Sequence, residues 1–457
     1  MTRAPFALAD TPLADVPLTR APSGEHSASE TRTAHLPHVV AWNLTRRCNL
    51  ECAHCYISAG PWQALGDELS TAECLQIVGQ VLAVNPNPML ILTGGEPLVR
   101  DDLETIVERA ASGGATVVLG TNGTLLTPER VASLKQAGLL GVAVSIDSLE
   151  SRYHDRFRHG DGALNQTLDA VETLRDARLD FIVQTTVTRG NRSELGTLAA
   201  WAAERGAVSF NVYFVVQTGR AAGMEGLSPE ENEEVLRELA GLEREYRGRM
   251  MVRSKCQPAI MRVVHESDPE SPLLNYETRC PCGVHYCRIT PDGKVTPCPF
   301  MPLEAGDLRL QDFASIWYES AAFQALRTGT PGGKCGRCEY REVCGGCRAR
   351  AFAASGNLLA ADEACAYEPD GWREPVARPN PVTYGEAVET ELRWSAEAEK
   401  RVARIPSFVR GVVTRRVESY ARERGIDTVT PELLDEIRRE MPVDFSKRRP
   451  FFLKDGH

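Results

Sequence analysis

The sequence predicts an α/β protein in three parts: a parallel-sheet domain, a cysteine-rich domain and a small helical domain. Short β-rich runs alternate with amphipathic helices from about residue 38 to 220, the pattern of parallel βα units. Twelve of the fourteen cysteines fall into three groups, at 48–55, 280–298 and 335–365. After a Pro-rich stretch at 371–390 the composition turns helix-forming over 391–446.

At 457 residues the chain has room for two or three domains. A content of 42% hydrophobic and 25% charged residues is ordinary for a soluble globular protein. The net charge of -10 argues against a nucleic-acid partner. No apolar run approaches the ~20 residues that span a bilayer, so a cytoplasmic protein is expected. Residues 1–37, rich in Ala, Pro, Ser and Thr, read as a disordered leader.

In chain order, 38–43 reads as a strand leading into the first cysteine group. A helix follows over 70–84, with Ser70 as N-cap and Glu73 completing a capping box. Strands are expected at 89–93, 115–119, 141–146, 181–187 and 209–216, with helices at 101–112 and near 127–138, 162–178 and 192–205. These make six βα units within 38–225. Residues 226–279 read as a helical linker, because 228–247 carries a dense charge pattern with apolar residues at helical spacing. The Gly- and Pro-rich segment 280–370 could not bury much by itself, and bound metal clusters would supply the missing folding energy.

Cytosolic thiols stay reduced, so grouped cysteines point to metal rather than to disulfides. Cys74 and Cys256 stand alone and are expected to be small buried residues. Cys48, Cys52 and Cys55, spaced C-x3-C-x2-C, are one thiolate short of the four that usually hold an electron-carrying cube. One iron would be open to another ligand. Gly94-Gly95-Glu96-Pro97 follows the second strand, and in an α/β barrel the loops after strand C-termini carry the chemistry. Downstream, Cys335, Cys338, Cys344, Cys347 and Cys365 include two C-x2-C pairs, a spacing that structural zinc sites also use. Asn122, in Thr121-Asn122-Gly123, reads as a turn residue.

C-x3-C-x2-C with GGEP in register resembles the signature of radical S-adenosylmethionine (SAM) enzymes. The resemblance implies a partial (β/α)6 radical SAM barrel in which Cys48, Cys52 and Cys55 hold a [4Fe–4S] cluster, with SAM on the open iron as source of a 5′-deoxyadenosyl radical. It implies SAM contacts from Gly94, Gly95, Glu96 and Pro97, the two glycines admitting close backbone approach. Ser145 and Asp147, closing the fourth strand, would face SAM ribose or substrate, and Arg158 the SAM carboxylate. Cys280, Cys282, Cys287, Cys298 and the 335–365 group resemble the SPASM extension, which carries one or two auxiliary [4Fe–4S] clusters. By carry-over Cys335, Cys338, Cys344 and Cys365 hold the outer cluster, and Cys298 and Cys347 join upstream thiolates, Cys282 among them, on the inner one. The last pair is C-x2-C where the family more often has C-x3-C, and which of Cys280, Cys282 and Cys287 bind stays open.

The flanks 42–50 and 55–58, with 286–293 and 297–302, resemble the haem-forming branch of the family, which decarboxylates propionates of iron coproporphyrin III or serves haem d1 synthesis. Segments 394–398, 405–410, 424–426 and 429–432 resemble the small C-terminal domain of light-independent protochlorophyllide reductase. Together they imply an oxidoreductase acting on a small tetrapyrrole, with His285 or Tyr286 beside the cluster loop or the substrate iron. An electron donor such as flavodoxin or ferredoxin would supply the reducing equivalents. A radical SAM peptide or cofactor maturase is the alternative.

Overall fold

The computed structural model describes residues 35–439 apart from 65, 277–278, 378–389, 404 and 406. Residues 1–34 of the expected leader, most of the 371–390 linker and 440–446 lie outside the described residues. Seven parallel strands run in sequence order across one sheet: β1 (Val39–Asn43), β2 (Met89–Thr93), β3 (Thr116–Thr121), β4 (Gly141–Ser145), β5 (Asp180–Val187), β6 (Ser209–Phe214) and β7 (Met251–Lys255). Beyond β1 the sheet continues through β8 (Tyr286–Ile289), parallel to β1, then antiparallel β9 (Lys294–Thr296) and β10 (Gly306–Asp307).

Helices pack on the outer face. Helix α1 (Thr71–Val84) starts at Ser70 with both hydrogen bonds of the expected capping box, and buries Cys74, Ile77, Val78 and Val81. Helices α2 (Leu103–Ser112), α3 (Pro128–Gln136), α5 (Ala163–Asp176) and α6 (Leu195–Glu204) fall where periodicity places them. Helix α4 (Ser151–Arg158) has no counterpart in the sequence reading. Its sequence SRYHDRFR is nearly all polar, with no side-chain N-cap, and it stops at His159 in left-handed backbone, φ 51°.

Strand direction alternates faces. On β5, Phe181, Val183 and Val187 are buried against helices, while Ile182, Gln184 and Thr186 point into the barrel. The stretch expected as a linker departs from that reading. Its helix α7 (Pro229–Tyr246) buries Val235, Leu236, Leu239 and Leu242, and β7 pairs in register with β6. A dense surface charge pattern on α7 masks a full apolar stripe, so 226–255 is one more βα layer of the barrel.

The C-terminal helices α8 (Ala396–Ala403), α9 (Ser407–Glu423) and α10 (Pro431–Arg439) enclose a small core of Ala398, Val417, Ala421, Val429, Leu433 and Ile437. Ser407 anchors them. Its hydroxyl lies 2.7 Å from His38 Nδ1, accepts from Asn85 Nδ2 at 3.1 Å and reaches the Asn87 carbonyl at 2.9 Å. These partners precede β1 and β2, so the helical domain docks on the strand N-terminal end, opposite the 48–55 loop. Among the described residues, no helix is long and apolar enough to cross a membrane.

Candidate active site

A cavity of about 480 Å³ runs through the barrel interior. Val39, Met89 and Val208 line its strand N-terminal end, Cys48, Cys52, Cys55, Gly94 and Gly95 its other end, and Cys280, Cys282, Cys298 and Cys347 its side.

The first cysteine loop is tied to the end of β2. Gly95 N donates to Thr45 O at 2.7 Å and Glu96 N to Arg47 O at 2.9 Å, continuing the β1–β2 ladder into the loop. A Cβ on Gly95 would lie 2.2 Å from Arg47 O, and one on Gly94, whose φ is 152°, 2.7 Å from Thr45 O. Both glycines line the cavity, but what their missing side chains admit is the 45–47 backbone. The cysteine loop can then fold flat against β2.

Glu96 is fully buried and does not line the cavity, nor does Pro97. Its carboxylate accepts from Leu98 N at 3.1 Å, Thr121 Oγ1 at 2.8 Å and Asn122 N at 2.9 Å. Burial pushes its pKa up to about 7 despite these donors. The role it performs is to tie the end of β2 to the end of β3. Asn122, read from sequence as a turn residue, is oriented by this tie. It is buried, lines the cavity, and aims Nδ2 at Cys48 Sγ (3.9 Å) and Asn49 Oδ1 (2.9 Å).

Sulfur acceptors are in place: Leu50 N donates to Cys48 Sγ at 3.4 Å and Ala59 N to Cys55 Sγ at 3.3 Å. Such N–H groups favour the thiolate over the thiol, against burial that pushes the Cys48 thiol up to about 12. Metal binding removes that proton.

Ser145 lines the cavity; Asp147 does not. Arg158 does, and is buried rather than solvated. Arg158 Nε and Nη2 reach Asp147 Oδ2 at 2.9 and 2.7 Å, with side-chain exposures of 6% and 0%. Asp147 Oδ1 accepts from Thr186 N at 2.8 Å. Burial alone would raise the Asp147 carboxyl; the Arg158 guanidinium holds it below the usual range. Asp147 therefore fixes Arg158 from behind.

Sequence reasoning missed Gly219 and Arg220. Gly219, φ 58°, packs where a Cβ would lie 2.4 Å from Tyr56 O, and Arg220 Nε donates to Cys52 O at 2.9 Å. Arg220 Nη2 is buried without a partner beside the cavity. A Gly-Arg pair closing the loop after the sixth strand was the available signal.

The downstream thiols sort into two groups. Cys335, Cys338, Cys344 and Cys365 lie together, and the Cys335 sulfur accepts from Asp362 N at 3.3 Å. Cys280, Cys282, Cys298 and Cys347 pack in another group around Met301. Cys287 is in neither, being fully buried in β8 within the main core. Cys256, expected to stand alone, belongs with the second group; Cys74 does stand alone in the core, on the buried face of α1. None of the fourteen cysteines is in a disulfide. Among the described residues no three His, Cys, Asp or Glu converge on a single-ion site. A four-iron cube, which binds one thiolate per iron, needs no such point, so the donor sets fit iron–sulfur clusters in chemistry.

His285 and Tyr286 line the cavity, with the His285 ring 5.5 Å from that of His38. Among the described residues, none of the C-terminal helices does.

Family profiles match along the chain: "Radical SAM superfamily" over residues 42–202, "Iron-sulfur cluster-binding domain" over 280–348, and "Proto-chlorophyllide reductase 57 kD subunit" over 394–438. The chain is 38% identical to the AdoMet-dependent heme synthase of Methanosarcina barkeri, over 73% of this chain and 97% of the relative. It is 36% identical to that of Oleidesulfovibrio alaskensis, over 72% and 87%. In fold it is similar to Streptococcus suis SuiB bound to S-adenosylmethionine, with a TM-score of 0.61, 13% identity, and 74% and 79% of the two chains covered.

Proposed function

The chain belongs to the radical SAM superfamily, and we propose that its substrate is a propionate-bearing iron tetrapyrrole that it oxidatively decarboxylates in haem synthesis. Its cofactors are a [4Fe–4S] cluster with SAM and auxiliary iron–sulfur clusters. Cys48, Cys52 and Cys55 hold the first cluster, with SAM on Gly94, Gly95, Asn122, Ser145 and Arg158. Cys335, Cys338, Cys344 and Cys365 hold the outer auxiliary cluster; Cys282, Cys298 and Cys347 serve the inner one.

One observation carries the substrate class. Among the described residues the cavity is lined by Arg158, Arg220, Arg253 and Lys255 and by no Asp or Glu, in a chain of net charge -10. A chamber lined by four basic side chains and no carboxylate favours a ligand with anionic groups. Its lower wall of Val39, Met89, Ile91, Val118 and Ile182 is apolar, as a macrocycle face requires. Heme synthase activity in the similar relatives agrees with both features.

The chemistry asked of each propionate is loss of one β-hydrogen atom, one CO2 and one electron, leaving a vinyl group. Bound SAM and clusters supply the hydrogen and electron acceptors. The chain's own residues do the rest. Arg253 and Lys255, two apart on β7, present charge to the same side of the cavity and bind carboxylates. Arg158 is held by Asp147 toward the loop end. The apolar wall excludes water from the reacting carbon. A flavodoxin or ferredoxin supplies the electron for the first cluster.

Absorbance titration with iron coproporphyrin III tests this reading. Binding that is lost in an Arg253→Ala/Lys255→Ala double variant supports it. Failure of the wild-type chain to bind the porphyrin would overturn it in favour of a peptide substrate.

A further inference from the structure

We propose that Cys256, outside the matched iron–sulfur segment, is a ligand of the inner auxiliary cluster. The inference rests on the reading that this domain holds such a cluster, and adds a ligand from the barrel edge.

Cys256 directly follows β7, one edge of the parallel barrel, whereas Cys280 and Cys282 immediately precede β8 on the other side of the opening. Across that opening Cys256 packs with Cys280, Cys282, Cys298 and Cys347 and lines the same cavity. Charged or ionisable groups around it include Cys347, Cys298, Arg350 and Cys280.

The backbone is held in an unfavoured state to put it there. Cys256 has φ 60°, a left-handed conformation rare outside glycine and kept only where surroundings impose it. Arg350 Nη2 grips the Cys256 carbonyl at 2.5 Å, and Arg350 Nη1 pairs with Asp362 at 3.0 Å, the two side chains 9% and 1% exposed. The same Asp362 accepts from Cys347 N at 2.8 Å. One buried ion pair thus fixes both Cys256 and Cys347.

A cube takes four thiolates. Cys280 and Cys282 are two residues apart with their thiols in hydrogen-bond contact, Cys282 touching Cys298 as well, and one corner is assigned to this pair. Cys298 and Cys347 supply two more, and Cys256 completes the set from the opposite edge.

The test compares iron and sulfide content and the EPR spectrum of the reduced, reconstituted full chain with those of Cys256→Ala, Cys256→Ser and the core control Cys74→Ala. With three clusters the wild type should hold about twelve irons. Cys256→Ala should lose about four, or keep a cluster with altered g-values, while Cys74→Ala matches wild type. Cys256→Ser, which keeps the packing, should shift the EPR signal of one cluster only. Wild-type iron and spectra in both Cys256 variants would overturn the proposal alone. A wild type holding only about four irons would overturn the auxiliary-cluster reading, and the proposal with it.

Discussion

Replacing Gly95 by Ala tests whether the second-strand loop exists to seat the cysteine loop. The new Cβ would lie 2.2 Å from Arg47 O and 2.6 Å from Arg47 C, both backbone atoms that cannot rotate away. To restore contact distance the 45–47 backbone must retreat by about 1 Å, an overpacking cost of about 1–3 kcal/mol. That retreat breaks or stretches Gly95 N→Thr45 O and Glu96 N→Arg47 O, each worth about 1 kcal/mol. The sum is about 3–5 kcal/mol, concentrated at the loop carrying Cys48. Gly241→Ala is the control: Gly241 lies within α7 with nothing within 4 Å of its Cβ position, so it should stabilise by about 1 kcal/mol. The assays are thermal unfolding and the rate at which a chelator strips iron from the reconstituted chain. Gly95→Ala should lower the unfolding temperature and speed loss of the first cluster selectively. If it unfolds like wild type and keeps its iron, the loop contact is not what demands glycine.

Asp147→Ala leaves Arg158 charged and buried without its partner, and should destabilise by about 3–5 kcal/mol in chemical denaturation; a loss under about 1 kcal/mol would show that another group neutralises the arginine. Glu96 sets a pH dependence. The unfolded carboxyl releases its proton near its ordinary value of 4.5 and the folded one near 7, so the fold binds more protons between them and stability falls as pH rises through that window. The fall amounts to about 3 kcal/mol, and Glu96→Gln should flatten it; an unchanged slope in unfolding-midpoint measurements across the window would assign it elsewhere. Arg253→Ala and Lys255→Ala should each weaken iron coproporphyrin III binding about 10- to 100-fold, from the loss of one charge-assisted contact. Uncoupled SAM cleavage, measured as 5′-deoxyadenosine released without porphyrin, should stay at the wild-type rate in both.

Hydrophobic patterning made the barrel legible: β2, α1 and α3 to within a residue or two, because β2 is a short continuous apolar run and each of the two helices has spaced apolar residues behind an N-cap. α4 was not legible, since SRYHDRFR earns its helix through Arg158 pairing with Asp147 rather than through an apolar stripe. β7 hid behind the charges of α7, and its Arg253 and Lys255 make sense only once they face a cavity. The cysteine groups were visible as spacing. That Cys256 joins one group and Cys287 leaves it depends on which barrel edges meet, a long-range fact no local pattern encodes. The glycine pair was found for its sequence, but its reason lay in the distant backbone of Thr45 and Arg47. The C-terminal helices matched the proto-chlorophyllide reductase subunit profile, yet dock through Ser407 at the end of the barrel away from the cysteine loop.

The central claim is tested most directly by anaerobic incubation of the reconstituted chain with SAM, a reductant and iron coproporphyrin III, followed by mass spectrometry of the porphyrin. The account predicts stepwise mass losses, each of one CO2 and two hydrogens overall between propionic acid and vinyl forms, alongside 5′-deoxyadenosine, and neither product in Cys52→Ala. Abundant 5′-deoxyadenosine with a porphyrin of unchanged mass would contradict the tetrapyrrole assignment.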